Sequence, residues 1–153
     1  MLFKRINRDL PEQVFVAVQA NEGTAIPKDA VVQLDIGTAV DGVKVVQPNT
    51  GELHAFVGVA DQAVADQDYG LAQVYGYRSS SLVFQTGTTM AAGLPLVPTA
   101  GQNYMQTAAS SFTFASNTTV SVTQVPYMAV LAESVTSVTA SAAVSAKVFI
   151  RGL

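Results

Sequence analysis

The stretch Val14-Phe15-Val16-Ala17-Val18 decides the fold. Its valines alternate with Phe15 and Ala17, the period of two that puts every second side chain on one face of a strand. Asn21-Glu22-Gly23 closes this run with turn residues, and Ile26-Pro27-Lys28-Asp29 makes the next turn. Residues 31–36 read as a strand ending at Gly37. Asp41-Gly42 is a hairpin dipeptide, because both positions tolerate positive φ, and residues 43–47 are the returning strand. After the turn Pro48-Asn49-Thr50-Gly51, residues 53–60 form another strand, residues 61–68 an acidic loop, and residues 69–77 an aromatic, β-rich run.

The second half has a different texture. Residues 79–146 carry a single charge, Glu133, and are built from Ser, Thr, Ala, Val and Gln. Gly87, Gly93, Pro95, Pro98 and Gly101 punctuate it, after which Phe112-Thr113-Phe114 and Val120-Ser121-Val122-Thr123-Gln124-Val125 alternate as strands with one buried face. Residues 130–145 are rich in Val, Thr and Ser, which favours two strands joined at Thr136-Ser137 over a helix. Lys147-Val148-Phe149-Ile150-Arg151 closes the chain as a strand whose flanking charges suit a sheet edge. Many short strands with no long amphipathic helix predict an all-β, single-domain β-barrel or sandwich over residues 13–153, preceded by an extended basic arm, residues 1–12.

Composition agrees. Val, Thr, Phe, Tyr and Ile supply 53 of 153 residues, whereas Glu, Lys and Arg contribute four each. Apolar residues make up 49% and charged residues 12%, a balance that excludes intrinsic disorder. The N-terminal Met1-Leu2-Phe3-Lys4-Arg5-Ile6-Asn7-Arg8 has bases without the apolar run of a secretory signal, so synthesis in a cytoplasm is expected. No 18-residue apolar stretch predicts a spanning helix, and no membrane partner is expected. Charge is polarised along the chain: the first eight residues carry Lys4, Arg5 and Arg8, and residues 9–68 carry ten acids against Lys28 and Lys44. A terminal block of charge is a common interaction tail. The net charge of −3 argues against direct nucleic-acid binding, which requires a basic stripe.

Candidate chemistry is sparse. The chain has no cysteine and one histidine, His54, which removes thiol nucleophiles, zinc ribbons and most histidine-based triads. Glu52 and His54 would share one face of a strand beside Asp61, Asp66 and Asp68, but this spacing carries no metal signature. Asp66-Gln67-Asp68 opens like a calcium loop, yet Leu71 and Tyr77 stand where such a loop needs Gly and Glu. There is no Gly-x-Ser-x-Gly elbow and no phosphate loop, so no catalytic, cofactor-binding or metal residues are assigned and an enzyme is not expected. Tyr69, Tyr75, Tyr77 and Arg78 form a candidate oligomer or partner interface, or a platform for stacking a base or sugar. The charge-poor half suits contact with copies of the chain or with a partner, because interface centres are depleted of charge.

Several phrases, in order, resemble the head decoration, or cement, proteins of tailed bacteriophages. They are Ile26-Pro27-Lys28, Asp41-Gly42 to Pro48-Asn49-Thr50, Phe56-Val57-Gly58-Val59-Ala60, Asp68-Tyr69-Gly70 to Val74-Tyr75-Gly76-Tyr77, Ala92-Gly93-Leu94-Pro95-Leu96 and Lys147-Val148-Phe149-Ile150-Arg151. The resemblance implies a small β-barrel-like domain, often a homotrimer, that binds the outside of the major capsid protein shell and reinforces it on the virion surface. The family supplies no catalytic residues. With it, Phe3, Lys4, Arg5 and Arg8 are expected to form a capsid-binding arm. The alternatives are another phage structural protein, such as a head fibre base or a tail component, and a carbohydrate-binding β-sandwich using the tyrosines and Arg78.

Overall fold

The computed structural model describes residues 12–37, 42–85, 87–108, 128–136 and 141–152. The capsid-arm candidates Phe3, Lys4, Arg5 and Arg8, and the strands expected at 112–114 and 120–125, lie outside the described residues. The rest is all-β, with one 3-10 turn at Leu53–Ala55. Nine strands form one continuous sheet: β1 Gln13–Ala20, β2 Val31–Leu34, β3 Lys44–Val46, β4 Phe56–Ala60, β5 Tyr69–Gln85, β6 Pro95–Pro98, β7 Met105–Thr107, β8 Ala129–Leu131 and β9 Ala142–Arg151.

That sheet closes on itself twice. β1 pairs parallel with β3, β3 and β4 both flank β2 antiparallel, β4 pairs with β5, and β5 returns to β1. The second ring repeats the first: β5 pairs parallel with β7, β7 and β8 flank β6 antiparallel, β8 pairs with β9, and β9 returns to β5. Each pairing of the first ring thus has its counterpart in the second, with the same sense. The chain is an internal duplication of one five-stranded ring, and β5 serves as last strand of the first and first strand of the second.

The duplication extends to the turns. An isolated bridge joins Ile26 to Val64 in the first unit and Met90 to Val135 in the second. The Ala30 amide donates to the Pro27 carbonyl and the Leu94 amide to the Ala91 carbonyl, each spanning a residue at positive φ, Asp29 (66°) or Gly93 (88°). The next contacts also match. Asp29 donates to the Ala60 carbonyl as Gly93 does to that of Leu131, and Ala60 donates to Ala30 as Leu131 does to Leu94.

Two apolar cores follow from two rings. Val18, Ala20, Ile26, Val32, Val45, Val64 and Ala72 fill the first. The second gathers Val83, Met90, Leu96, Met105, Leu131, Val148 and Ile150, and it also takes in Val31, Phe56 and Val59, so the units share packing as well as a strand. Ile150 is fully buried. Replacing it with valine is expected to cost about 0.5–1.5 kcal/mol through the missing methylene, measurable as a lowered midpoint in a urea titration with unchanged slope.

The strands expected on either side of Asp41-Gly42 pair antiparallel as β2 and β3, with Gln33 opposite Val46 and Leu34 opposite Val45, while Asp41 itself lies outside the described residues. Residues 130–145 do supply two strands, β8 and the start of β9, with Thr136 in the connection between them. Three expectations are corrected. The strand at 53–60 starts only at Phe56, after the 3-10 turn. The run at 69–77 continues to Gln85, making β5 17 residues long. The closing strand at 147–151 is not an edge, because β9 has β5 on one side and β8 on the other. Lys147 finds a partner in Glu133 instead, at 2.8 Å. This hydrogen bond holds the Glu133 carboxyl below its usual range and raises Lys147.

Candidate functional site: an apolar strand face and the Arg78 cluster

β5 carries one extra residue against β1 between Gln73 and Tyr75, so Tyr69 and Leu71 lie on the side of Ala17 and Phe15, whereas Tyr75 and Tyr77 lie on the side of Val14, opposite to Arg78. Tyr69 is 67% and Leu71 45% exposed, whereas Tyr75 and Tyr77 are half-buried. Tyr75 meets Phe149 of β9 edge to face, with ring centroids 5.4 Å apart. Tyr75 and Tyr77 therefore share a face from which the bulge separates Tyr69. Arg78 does not join them, so no tyrosine–arginine stacking platform for a sugar or base is assembled.

The exposed face of Tyr69 and Leu71 is completed by β1. Ala17 lies opposite Leu71 and Gln19 opposite Tyr69, and Phe15, 37% exposed, follows on the same side. Three of the four large apolar side chains that stand exposed among the described residues, Phe15, Tyr69 and Leu71, are therefore neighbours on one two-stranded ribbon. Sequence reading found Tyr69 but missed Phe15 and Leu71. The signal was present in the alternation of β1, but which face of that strand met the core depended on its register with β5.

Arg78 lies where the two rings meet. The register of β5 against β9 shifts between Arg78 and Ser81, and this bulge turns the guanidinium inward, leaving the residue 5% exposed. One terminal nitrogen donates to Asp29 Oδ1 at 2.6 Å and to the Ala60 carbonyl at 2.9 Å. The other donates to Asp61 Oδ1 at 3.1 Å and Gln73 Oε1 at 3.3 Å, and Nε donates to the Ser80 carbonyl at 2.6 Å. A planar fork of donors is the group suited to so many fixed acceptors. The cluster ties the turn after β1, the end of β4 and both halves of β5 to a single charge. A small cavity of about 120 Å³ adjoins it, lined by Gln13, Lys28 and Ser79 among others.

A larger cleft, about 350 Å³, opens between Asn21, Glu22, Asp35, Asn49 and Glu52. Its carboxylates hold loops together. Glu22 accepts the Gln47 amide at 2.6 Å, Asp35 accepts Asn21 Nδ2 at 2.6 Å and the Gly37 amide at 3.2 Å, and Glu52 accepts Gln33 Nε2 at 3.3 Å. The pairing of Glu52 with His54 on one strand face does not form, because both lie at the 3-10 turn, and His54 is exposed. Asp61 serves Arg78, and Asp66 accepts the Gly23 amide at 2.9 Å. Among the described residues no three His, Asp or Glu side chains are grouped to hold a metal ion, and no helix is long and apolar enough to cross a membrane.

Comparison with known proteins gives no matching family model and no match to a curated sequence.

Proposed function

We propose that this chain is a structural virion protein, a capsid decoration or cement protein that binds the outer surface of a major capsid protein shell and stabilises it. The observation that carries the reading is the ordered series of phrases, from Ile26-Pro27-Lys28 to Lys147-Val148-Phe149-Ile150-Arg151, that resembles that family. Physical features support it. Two closed rings sharing a 17-residue strand make a body in which every described strand is paired on both sides over part of its length, and such a body resists local opening. The apolar ribbon of Phe15, Leu71 and Tyr69 offers a contact surface, and the basic segment at residues 1–8 offers a second. On a repeating lattice, several modest contacts per copy give high occupancy by avidity, and assembly as a homotrimer multiplies them.

The reading is tested by co-sedimentation with phage shells lacking decoration protein. The full chain is expected to saturate the shells, and a chain beginning at Glu12 to bind more weakly while keeping its far-ultraviolet dichroism. Absence of binding by the full chain removes the capsid reading; equal binding by both forms removes the arm from it.

A further inference from the structure

The ribbon of Phe15, Ala17, Leu71 and Tyr69 is apolar where the fold does not require it to be. All four residues are exposed, and Ala17 stands directly opposite Leu71. The second ring shows what the same places can hold. Its Lys147 matches Leu71, because the Leu71 carbonyl accepts the Asp61 amide as the Lys147 carbonyl accepts that of Ala132, each one residue beyond the matched Ala60 and Leu131. Two residues back along each strand, Ser145 then matches Tyr69. Lys147 is paired with Glu133 and the Ser145 hydroxyl is hydrogen-bonded to that of Ser80 at 2.9 Å, so both places are polar in the second unit. Large apolar groups at Leu71 and Tyr69 therefore serve something other than the ring.

The two ends of the ribbon differ in charge. Beyond Gln19 and Tyr69 lie Asp68, exposed, and Asp66, half-buried, and Gln19 Nε2 donates to the Gln67 carbonyl between them at 2.8 Å. Beyond Phe15, Gln13 lines the cavity beside Arg78 together with the exposed Lys28. Arg78 takes up Asp29 and Asp61 there, so Lys28 is the charge that this end presents.

We propose that the ribbon is a contact between two copies of this chain, packed face to face about a twofold axis that runs across the strands. A twofold contact needs a surface complementary to itself. With this axis the apolar side chains meet at the centre, and the Asp66–Asp68 end of each copy lies over the Lys28 end of the other. An axis along the strands brings like ends together and sets Asp66 and Asp68 against their own copies, a repulsion that selects against it. The ribbon is about 20 Å long and about 10 Å wide, well short of the ~800 Å² per partner of a standard interface. The pairing is therefore weak in dilute solution and gains wherever copies are held close together. It is independent of the capsid reading, and its test uses the purified full-length chain.

Sedimentation equilibrium from about 10 μM to about 1 mM protein, the range for so small an interface, is expected to show a twofold rise in mass. The chain carrying Leu71→Lys and Tyr69→Ser is expected to keep its far-ultraviolet dichroism and to associate about 100-fold more weakly, since each change is made on both sides of the axis. Charge reads the orientation. Lys28→Asp and Asp68→Lys are each expected to weaken association about threefold or more, and the chain carrying both to recover it. A constant mass, a threefold rise, equal association by the ribbon variant, or no recovery in the doubly exchanged chain overturns the proposal. Where the mass is constant and the ribbon variant also loses co-sedimentation with phage shells, the face belongs to the shell instead.

Discussion

Replacing Arg78 with alanine is expected to destabilise the chain by about 3–5 kcal/mol, the range for breaking a buried ion pair by removing one partner. The side chains of Arg78 and Asp29 are 6% and 16% exposed, so the lone Asp29 carboxylate cannot recover its hydration. Asp61, 46% exposed, recovers most of its own and contributes little to the loss. The Ser80 carbonyl and Gln73 Oε1 lose the guanidinium donor at the same time, while the Ala60 carbonyl keeps the Asp29 amide. Arg78→Lys restores the charge without the planar fork, and its stability is expected between the two. Equilibrium urea unfolding of the three chains measures this, and a loss below about 1 kcal/mol for the alanine variant would show that the cluster is not what joins the rings.

Gly76→Ala is the second large effect, expected at about 3 kcal/mol or more, because backbone strain and a collision act together. Gly76 sits at φ +101°, and a Cβ there runs into the carbonyl oxygen of Glu12, where β1 crosses onto β5. That contact is backbone, so no side-chain rotation relieves it. Gly23 is the comparison. It also has positive φ, +76°, but its missing Cβ would meet nothing within 4 Å, so Gly23→Ala is left with the left-handed strain of about 1–2 kcal/mol. Thermal melts of the two variants separate these terms. Equal shifts would mean that β1 moves aside at low cost.

Strand identity was legible wherever alternation or turn chemistry is local. Val14, Val16 and Val18 announced β1, and the turn residues before Val43 announced the antiparallel pairing of β2 with β3. Local reading failed at Ser79-Ser80-Ser81, where three small polar residues and a change of charge texture resemble a loop. There the backbone stays extended because β5 has partners along its edges, β1 and β4 early and β9 and β7 late. The same cause misled the reading of the last strand: charges at Lys147 and Arg151 signal an edge, but β8 fills that side.

The candidate site was legible only in part. Tyr69 could be singled out as an aromatic, and Leu71 stands two residues along the same strand, but Phe15 comes from a strand more than fifty residues away, and only the register brings it to them. Arg78 looked like a partner for the tyrosines because it follows Tyr77 directly. Adjacent residues on a strand face opposite ways, and the bulge carries Arg78 into Asp29 and Asp61.

The duplication was invisible in the sequence. Pro27-Lys28-Asp29-Ala30 and Ala91-Ala92-Gly93-Leu94 share no residue, yet make the same turn. The ring asks of each position only an inward or outward face, or a tolerance of positive φ, and many residues meet that demand. By itself, then, the sequence determined that the chain is all-β, where most strands begin, and that its charge is gathered in the first half, because side-chain alternation, turn propensity and charge are properties of neighbours in the chain. The tertiary structure alone decided that nine strands close into two rings sharing β5, that Arg78 is locked between them, and that Phe15, Tyr69 and Leu71 form one exposed face. Strand pairing is a choice among distant partners, settled by which arrangement buries both apolar cores and leaves the fewest backbone groups unpaired.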